Sequence, residues 1–281
     1  MPELPEVETV RRALVPALND RQVVRVFVGR PDLRWQLPLN LAETLTGQTF
    51  GMPQRRGKFL LLPLLSDQTL LMHLGMSGSV RIHDAPPLLA KHDHFMLEMA
   101  PVPGATDPAS MDSAFIVFND PRRFGWIDLF AGDIHPMLGD MGPEPLGNEF
   151  SDAYLASALA NRSGPIKTTL LNQQIVAGIG NIYACEALFY AGISPRRKSS
   201  TVQGKRAQRL VESITRVLQR AIAEGGTSLR DHVQPGGEIG YFVQQLAVYG
   251  RAGKACPHCT TPIRTITQSG RSTFFCSTCQ R

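Results

Sequence analysis

The sequence predicts an α+β chain of two domains: an N-terminal antiparallel β-sandwich led by one helix, then a helical half closed by a zinc-ribbon β-hairpin. Three observations carry that prediction. The chain has 281 residues, about twice the roughly 150 residues of a common domain, so each half can bury a core of its own. Short apolar runs punctuated by Gly, Pro, Asn and Asp fill residues 22–130, whereas apolar positions at helical spacing follow a Pro/Gly-rich segment from His135 to Gly147. Four of the five cysteines lie in the last 26 residues as two Cys-x-x-Cys pairs.

Pro5-Glu6-Val7-Glu8 reads as a helix start, because proline fits the first turn and acidic side chains there meet the positive end of the helix dipole. Val7, Val10, Leu14 and Leu18 then share one face. The runs 23–28, 58–62, 69–74, 94–99 and 115–118 are expected strands of an antiparallel sandwich or barrel. Past the hinge, helices are expected at 152–160, around 166–176, at 181–190 and at 204–224. The last of them turns Leu210, Ile214, Val217, Leu218 and Ala221 inward, and Gly225-Gly226 stops it. Lys205, Arg206, Arg209, Arg216 and Arg220 read as its solvated face. Residues 227–250 read as loop, and 262–268 with 271–275 as two strands joined at Ser269-Gly270, a tight-turn dipeptide.

Net charge is +5 and the isoelectric point about 9.1. The excess is uneven: residues 1–150 carry −5 and residues 151–281 carry +10. One half is therefore a candidate polyanion binder. The longest apolar-looking stretch, 175–193, holds Asn181, Glu186 and three glycines, which argues against a membrane span. No secretory signal is visible at the N-terminus, so a reducing cytoplasm is expected. There, Cys256, Cys259, Cys276 and Cys279 read as ligands of one Zn2+ and not as disulfides. Four thiolates complete a tetrahedron without leaving a position for water, which makes the ion structural. Cys185, in an apolar helical run, reads as a small buried hydrophobe.

Four clusters suggest chemistry. Arg271 sits at a zinc-stapled hairpin tip, able to fork onto phosphate. Gly178-Ile-Gly180-Asn181 lets backbone approach a phosphate at a helix start, although tight helix packing explains it equally well. Asp120-Pro-Arg122-Arg-Phe124-Gly125 places an Arg beside an aromatic on a turn, as a wedge into a base stack requires, although Phe124 reads equally well as an ordinary core residue, and Met76 lies on a second glycine-rich turn. Removal of Met1 would leave Pro2 with a free secondary amine of reference pKa about 8, partly unprotonated near neutrality and able to form an obligatorily cationic Schiff base. An uncleaved Met1 would convert that nitrogen to an amide.

Pro2-Glu-Leu-Pro-Glu-Val-Glu8, Arg55-Arg-Gly-Lys58, His73-Leu-Gly-Met-Ser-Gly78, Lys91-His-Asp-His94, Asp120 to Gly125, Gly178 to Tyr183, Val248-Tyr-Gly-Arg251 and the four-cysteine ribbon, in this order, resemble formamidopyrimidine-DNA glycosylase. The resemblance implies a bifunctional repair glycosylase and abasic-site lyase acting on oxidised purines in double-stranded DNA, with DNA lying between a β-sandwich and a helix-two-turn-helix domain with zinc finger. It implies a monomer and these divisions: catalytic domain 1–133, hinge 134–148, helix-two-turn-helix domain 149–226, lesion-capping loop and connection 227–250, zinc finger 251–281. It also implies roles. Pro2 is the nucleophile, Glu3 the acid, Lys58 an aid to β-elimination, and Arg271 acts at δ-elimination. His73, His92, Arg122, Arg162 and Asn181 contact DNA, and Lys167 lies near the lesion. Met76, Arg122 and Phe124 fill the gap left by the extruded nucleotide. A relative of the endonuclease VIII type, acting on oxidised pyrimidines, and a non-catalytic damage-binding zinc-ribbon protein are the alternatives.

Overall fold

Helix α1, Leu4–Leu18, opens the chain as its Pro5 and acidic first turn require, and seats Val7, Val10, Leu14 and Leu18 in the core. The molecule is described here from a computed structural model covering residues 2–102, 104, 112–227 and 242–281. Among these, contacts divide the chain into one unit of 2–136 with 225–227 and another of 137–224 with 242–281.

The first unit is two four-stranded antiparallel sheets. Strands β1 (Val23–Val28), β2 (Gln54–Arg56), β3 (Phe59–Pro63), β4 (Gln68–His73), β5 (Ser79–His83), β6 (Asp93–Met99), β7 (Ala114–Asn119) and β8 (Trp126–Ala131) pair in the orders β1-β6-β7-β5 and β2-β3-β4-β8. Leu60, Leu62, Leu70 and Met72 from one sheet meet Phe95, Leu97, Ile116 and Phe118 from the other, the alternation that a strand buried on one face imposes. A short helix α2, Leu41–Leu45, adds Leu41 and Leu45 to this core. β2, Gln54-Arg55-Arg56, has no apolar run to read, and in β5 and β8 charged or polar residues interrupt it.

The single turn α3, Pro136–Gly139, leads into the second unit, which holds α4 (Asp152–Leu159), α5 (Ile166–Leu170), α6 (Asn181–Tyr190) and α7 (Lys205–Ala223). Ser151 caps α4, its hydroxyl accepting from the Tyr154 N–H. The expected helix over 166–176 stops at Leu170. Gln173 takes over there: its amide oxygen accepts from Gly178 N–H at 2.8 Å and its amide nitrogen donates to the carbonyls of Leu171 and Ile179 at 3.1 and 3.0 Å. Side-chain bonds thus replace the helix ladder and shape the turn that precedes α6. The five basic residues of α7 are exposed, as a solvated face should be.

Glu186, wholly buried on α6, accepts from the N–H groups of Ala247, Val248 and Tyr249 at 2.9, 2.9 and 2.8 Å. Burial pushes its carboxyl above the ordinary value. Those three bonds fix residues 247–249 against the helix that carries buried Cys185. The chain ends in the antiparallel hairpin β9 (Arg264–Gln268) and β10 (Arg271–Phe275). Ser269 and Gly270 both adopt positive φ, 48° and 71°, the geometry of a tight two-residue turn. No described helix is long and apolar enough to cross a membrane.

Candidate active site and nucleic-acid interface

Pro2 and Glu3 stand at the head of α1, both buried, Glu3 only 2% exposed. The Glu3 N–H donates to Glu6 Oε2 at 2.8 Å, one arm of a capping box. The other Glu6 oxygen accepts from the N–H and hydroxyl of Thr227, both at 2.8 Å. Glu6 thereby ties the chain just before residue 228 to the turn that carries Pro2 and Glu3. The expected lesion-capping loop, 227–250, has residues 228–241 outside the described residues.

Lys58, 7% exposed, follows Gly57 in the turn between β2 and β3. Glu8 fixes that hairpin to α1. Its carboxylate accepts from Arg11, Arg12 and Arg55 at 2.9, 2.9 and 3.2 Å. Burial alone would raise its pKa, but the hydrogen bonds of Arg11 and Arg12 and the charges of Arg11 and Arg55 outweigh it and hold the carboxyl at about 2.

His73 ends β4 opposite Phe59, with ring centroids 4.7 Å apart. Its Nδ1 accepts the Gly75 N–H at 3.0 Å. Burial, then the positive charges of Lys58 and Arg34, push its pKa down to about 4. The ring is therefore neutral near pH 7, and with Nδ1 accepting, the proton belongs on Nε2. His73 is thus an uncharged N–H donor.

The three residues expected to act as a wedge lie on two turns. Met76, between β4 and β5, and Phe124, between β7 and β8, are 39% and 41% exposed. The Arg122 guanidinium lies over the Phe124 ring, 4.8 Å from its centroid. Gly75 has φ +63°, and a Cβ there would sit 2.3 Å from the Phe124 carbonyl carbon, so the two turns touch backbone to backbone. Asp120, wholly buried, lies beneath them: its carboxylate accepts from Ser77 Oγ at 2.6 Å and from Gly125 N–H at 2.7 Å. Its own N–H donates to the carbonyl of His92 at 3.0 Å. Sequence reading placed Asp120 in the motif without giving it a task. An acid beside Pro, Arg and Gly in an expected turn is the signal that was available.

In the second unit, Lys167 is wholly buried on α5 and Arg162 is exposed, its Nε donating to the Ala158 carbonyl at 3.0 Å. Asn181 Nδ2 donates to the Ser272 carbonyl at 2.9 Å, which brings the start of α6 beside exposed Arg271 on the hairpin. The four thiols of Cys256, Cys259, Cys276 and Cys279 have all Sγ atoms within 4.8 Å of one another. Two of these pairs stand at 3.9 and 3.4 Å. A tetrahedron with Zn–S near 2.3 Å has edges of about 3.8 Å, so the donor set fits one zinc ion. The N–H groups of His258 and Cys279 point at the sulfurs of Cys256 and Cys276, each at 3.4 Å, as in a turn that presents thiolates to metal.

Comparison with known proteins covers both units. The family models for the formamidopyrimidine-DNA glycosylase N-terminal domain, its H2TH domain and the zinc finger found in FPG and IleRS match residues 1–127, 141–233 and 253–281. The formamidopyrimidine-DNA glycosylase of Ruegeria pomeroyi is 49% identical over the full length of both chains. The crystal structure of the MutM (Fpg) protein of Thermus thermophilus superposes with a TM-score of 0.85 at 37% identity, covering 99% of this chain and 98% of that one. Wild-type Lactococcus lactis Fpg in complex with N7-benzyl-Fapy-dG-containing DNA superposes with a TM-score of 0.86 at 33% identity over the whole of both chains.

Proposed function

This chain belongs to the formamidopyrimidine-DNA glycosylase family, and from that premise we propose how its own residues excise an oxidised purine from double-stranded DNA and then cut the abasic strand. It is a base-excision-repair glycosylase with one structural zinc ion.

The observation that carries the residue assignment is a carboxyl group kept out of water directly beside the candidate amine: Glu3, buried, next to Pro2 at the head of α1. The Pro2 nitrogen attacks the sugar C1′ as the bond from C1′ to the base breaks, and Glu3 supplies the proton that the sugar or departing base needs. The amine then loses its one N–H proton and the C1′–O4′ bond opens, O4′ leaving as a hydroxyl that takes its proton from Glu3; a secondary amine has no second N–H to lose, so the resulting imine stays cationic. That cation draws electrons from C2′, whose proton leaves as the 3′ phosphate departs. A second elimination releases the 5′ phosphate.

Lys58, buried at the hairpin fixed by Glu8, assists the first elimination, and Arg271 holds phosphate during the second. His73 binds phosphate as a neutral donor, while His92, Arg122, Arg162 and Asn181 contribute to holding the DNA and Lys167 lies near the lesion. Stacked DNA hides C1′, so the nucleotide swings out at a cost of a few kcal/mol, and Met76, Arg122 and Phe124 take its place. The zinc ion, held by Cys256, Cys259, Cys276 and Cys279, supplies rigidity to the hairpin beneath Arg271. The reducing cytoplasm that suits four free thiolates is where we place this work.

Borohydride reduction during reaction with 8-oxoguanine duplex tests the assignment. Mass spectrometry is expected to put the cross-link on the terminal proline, and Pro2→Gly to lose base excision. An adduct on a lysine, or full excision by Pro2→Gly, refutes it.

A further inference from the structure

We propose that Asp120 and Ser77 are positioning residues that lock Met76, Arg122 and Phe124 into one rigid array. This rests on the reading of that trio as the wedge that replaces an extruded nucleotide, and adds what keeps the wedge in shape.

A void filler works only if its side chains are already in place when the base leaves, since disorder resolved at that moment would subtract from the energy needed for unstacking. Met76 and Phe124 are far too exposed to be held by packing alone. The order comes from below. Asp120 is 0% exposed, and each carboxylate oxygen is matched to a donor from a different turn. Oδ1 takes the Ser77 hydroxyl, from the turn bearing Met76, at 2.6 Å. Oδ2 takes the Gly125 N–H, which closes the turn bearing Phe124, at 2.7 Å. Having given its hydrogen to Asp120, the Ser77 oxygen accepts the Arg122 N–H at 3.2 Å. A relay therefore runs from the main chain of Arg122 through Ser77 to the Asp120 carboxylate.

The backbone of Asp120 extends the same bracket. Its N–H donates to the His92 carbonyl, and its own carbonyl lies 3.0 Å from His94 Nε2. One buried acid thus joins the segments of four expected DNA contacts: Met76, His92, Arg122 and Phe124. Charge-assisted bonds of this length, shielded from water, are the stronger kind. Ser77 is only 5% exposed, so its effect on DNA passes through the exposed trio.

Ser77→Ala removes both arms of the relay at the cost of one oxygen. Two substrates separate positioning from general damage. An 8-oxoguanine duplex demands a wedge, whereas a single-stranded abasic oligonucleotide has no stack to fill. Ser77→Ala is expected to slow excision from the duplex tenfold or more while leaving borohydride trapping on the single strand within twofold. In a Phe124→Ala background, Ser77→Ala is expected to add little further loss, because its route of action is already gone. Equal losses on both substrates, an undiminished duplex rate, or a full extra loss in the Phe124→Ala background would each overturn the bracket. If Phe124→Ala itself excises at the full rate, the wedge reading fails and takes this proposal with it. Should Ser77→Ala fold poorly, Asp120→Asn gives the same comparison, since an amide cannot accept the Gly125 N–H and the Ser77 hydroxyl together.

Discussion

Glu3 and His73 illustrate how environment assigns a job to a side chain. Glu3 loses its solvent at the head of α1, where its carboxylate also caps the helix by accepting from the Glu6 N–H. Glu3→Gln is expected to slow base excision by about 10²- to 10⁴-fold, while cleavage of a preformed abasic site, which has no base to protonate, falls much less. Single-turnover rates on the two substrates check this. His73 is the opposite case, a group whose charge is suppressed. A labelled His73 is expected to titrate by NMR near the low folded value of about 4, with its proton on Nε2 at neutral pH. Because the unfolded chain takes up this proton first, near 6.5, the stability His73 contributes is complete above that pH and is lost as pH falls toward 4.

Between elements, the joints are ionic or metallic where apolar area is small. Glu8 fastens the β2–β3 hairpin, and with it Lys58, to α1 through Arg55. Its depressed pKa gives stability that is fully present above the ordinary value of 4.5 and lost as pH falls through about 2. Glu8→Gln is expected to flatten the acid limb of the stability curve measured by denaturant titration between those two values. The zinc hairpin has only a thin core, built of Ile263 and its own cysteines with Cys185, Phe189, Ala247 and Val248, against which Phe274 packs. Cys276→Ser is expected to reduce bound zinc from one ion per chain to none by metal analysis, and to weaken DNA binding at least tenfold while the β-sandwich still melts cooperatively.

Across the whole molecule, charge is divided: −5 over residues 1–150 and +10 over 151–281. That division of charge favours phosphate binding by the second half. If about six phosphates are neutralised, log affinity against log salt should fall with a slope near −5. A slope close to zero would contradict a phosphate-gripping mode.

Much of this was legible in the chain itself. Helix α1, strand β1, the extent of α6 and the four-cysteine set follow from local periodicity, capping chemistry and ligand spacing, all of which act within a few residues. The order of the motifs likewise pointed to the family. The early end of the helix after Ile166 is local too: Gln173 bonds Gly178 and Ile179 within six positions, a side-chain alternative that periodicity does not register. Two things were decided by tertiary structure alone. The neutrality of His73 depends on burial and on Lys58 and Arg34, fifteen and thirty-nine positions away. The meeting of the Met76 and Phe124 turns over Asp120 joins residues more than forty positions apart. Short-range propensity is written residue by residue, but desolvation and contact between distant turns exist only once the sheets have closed on each other.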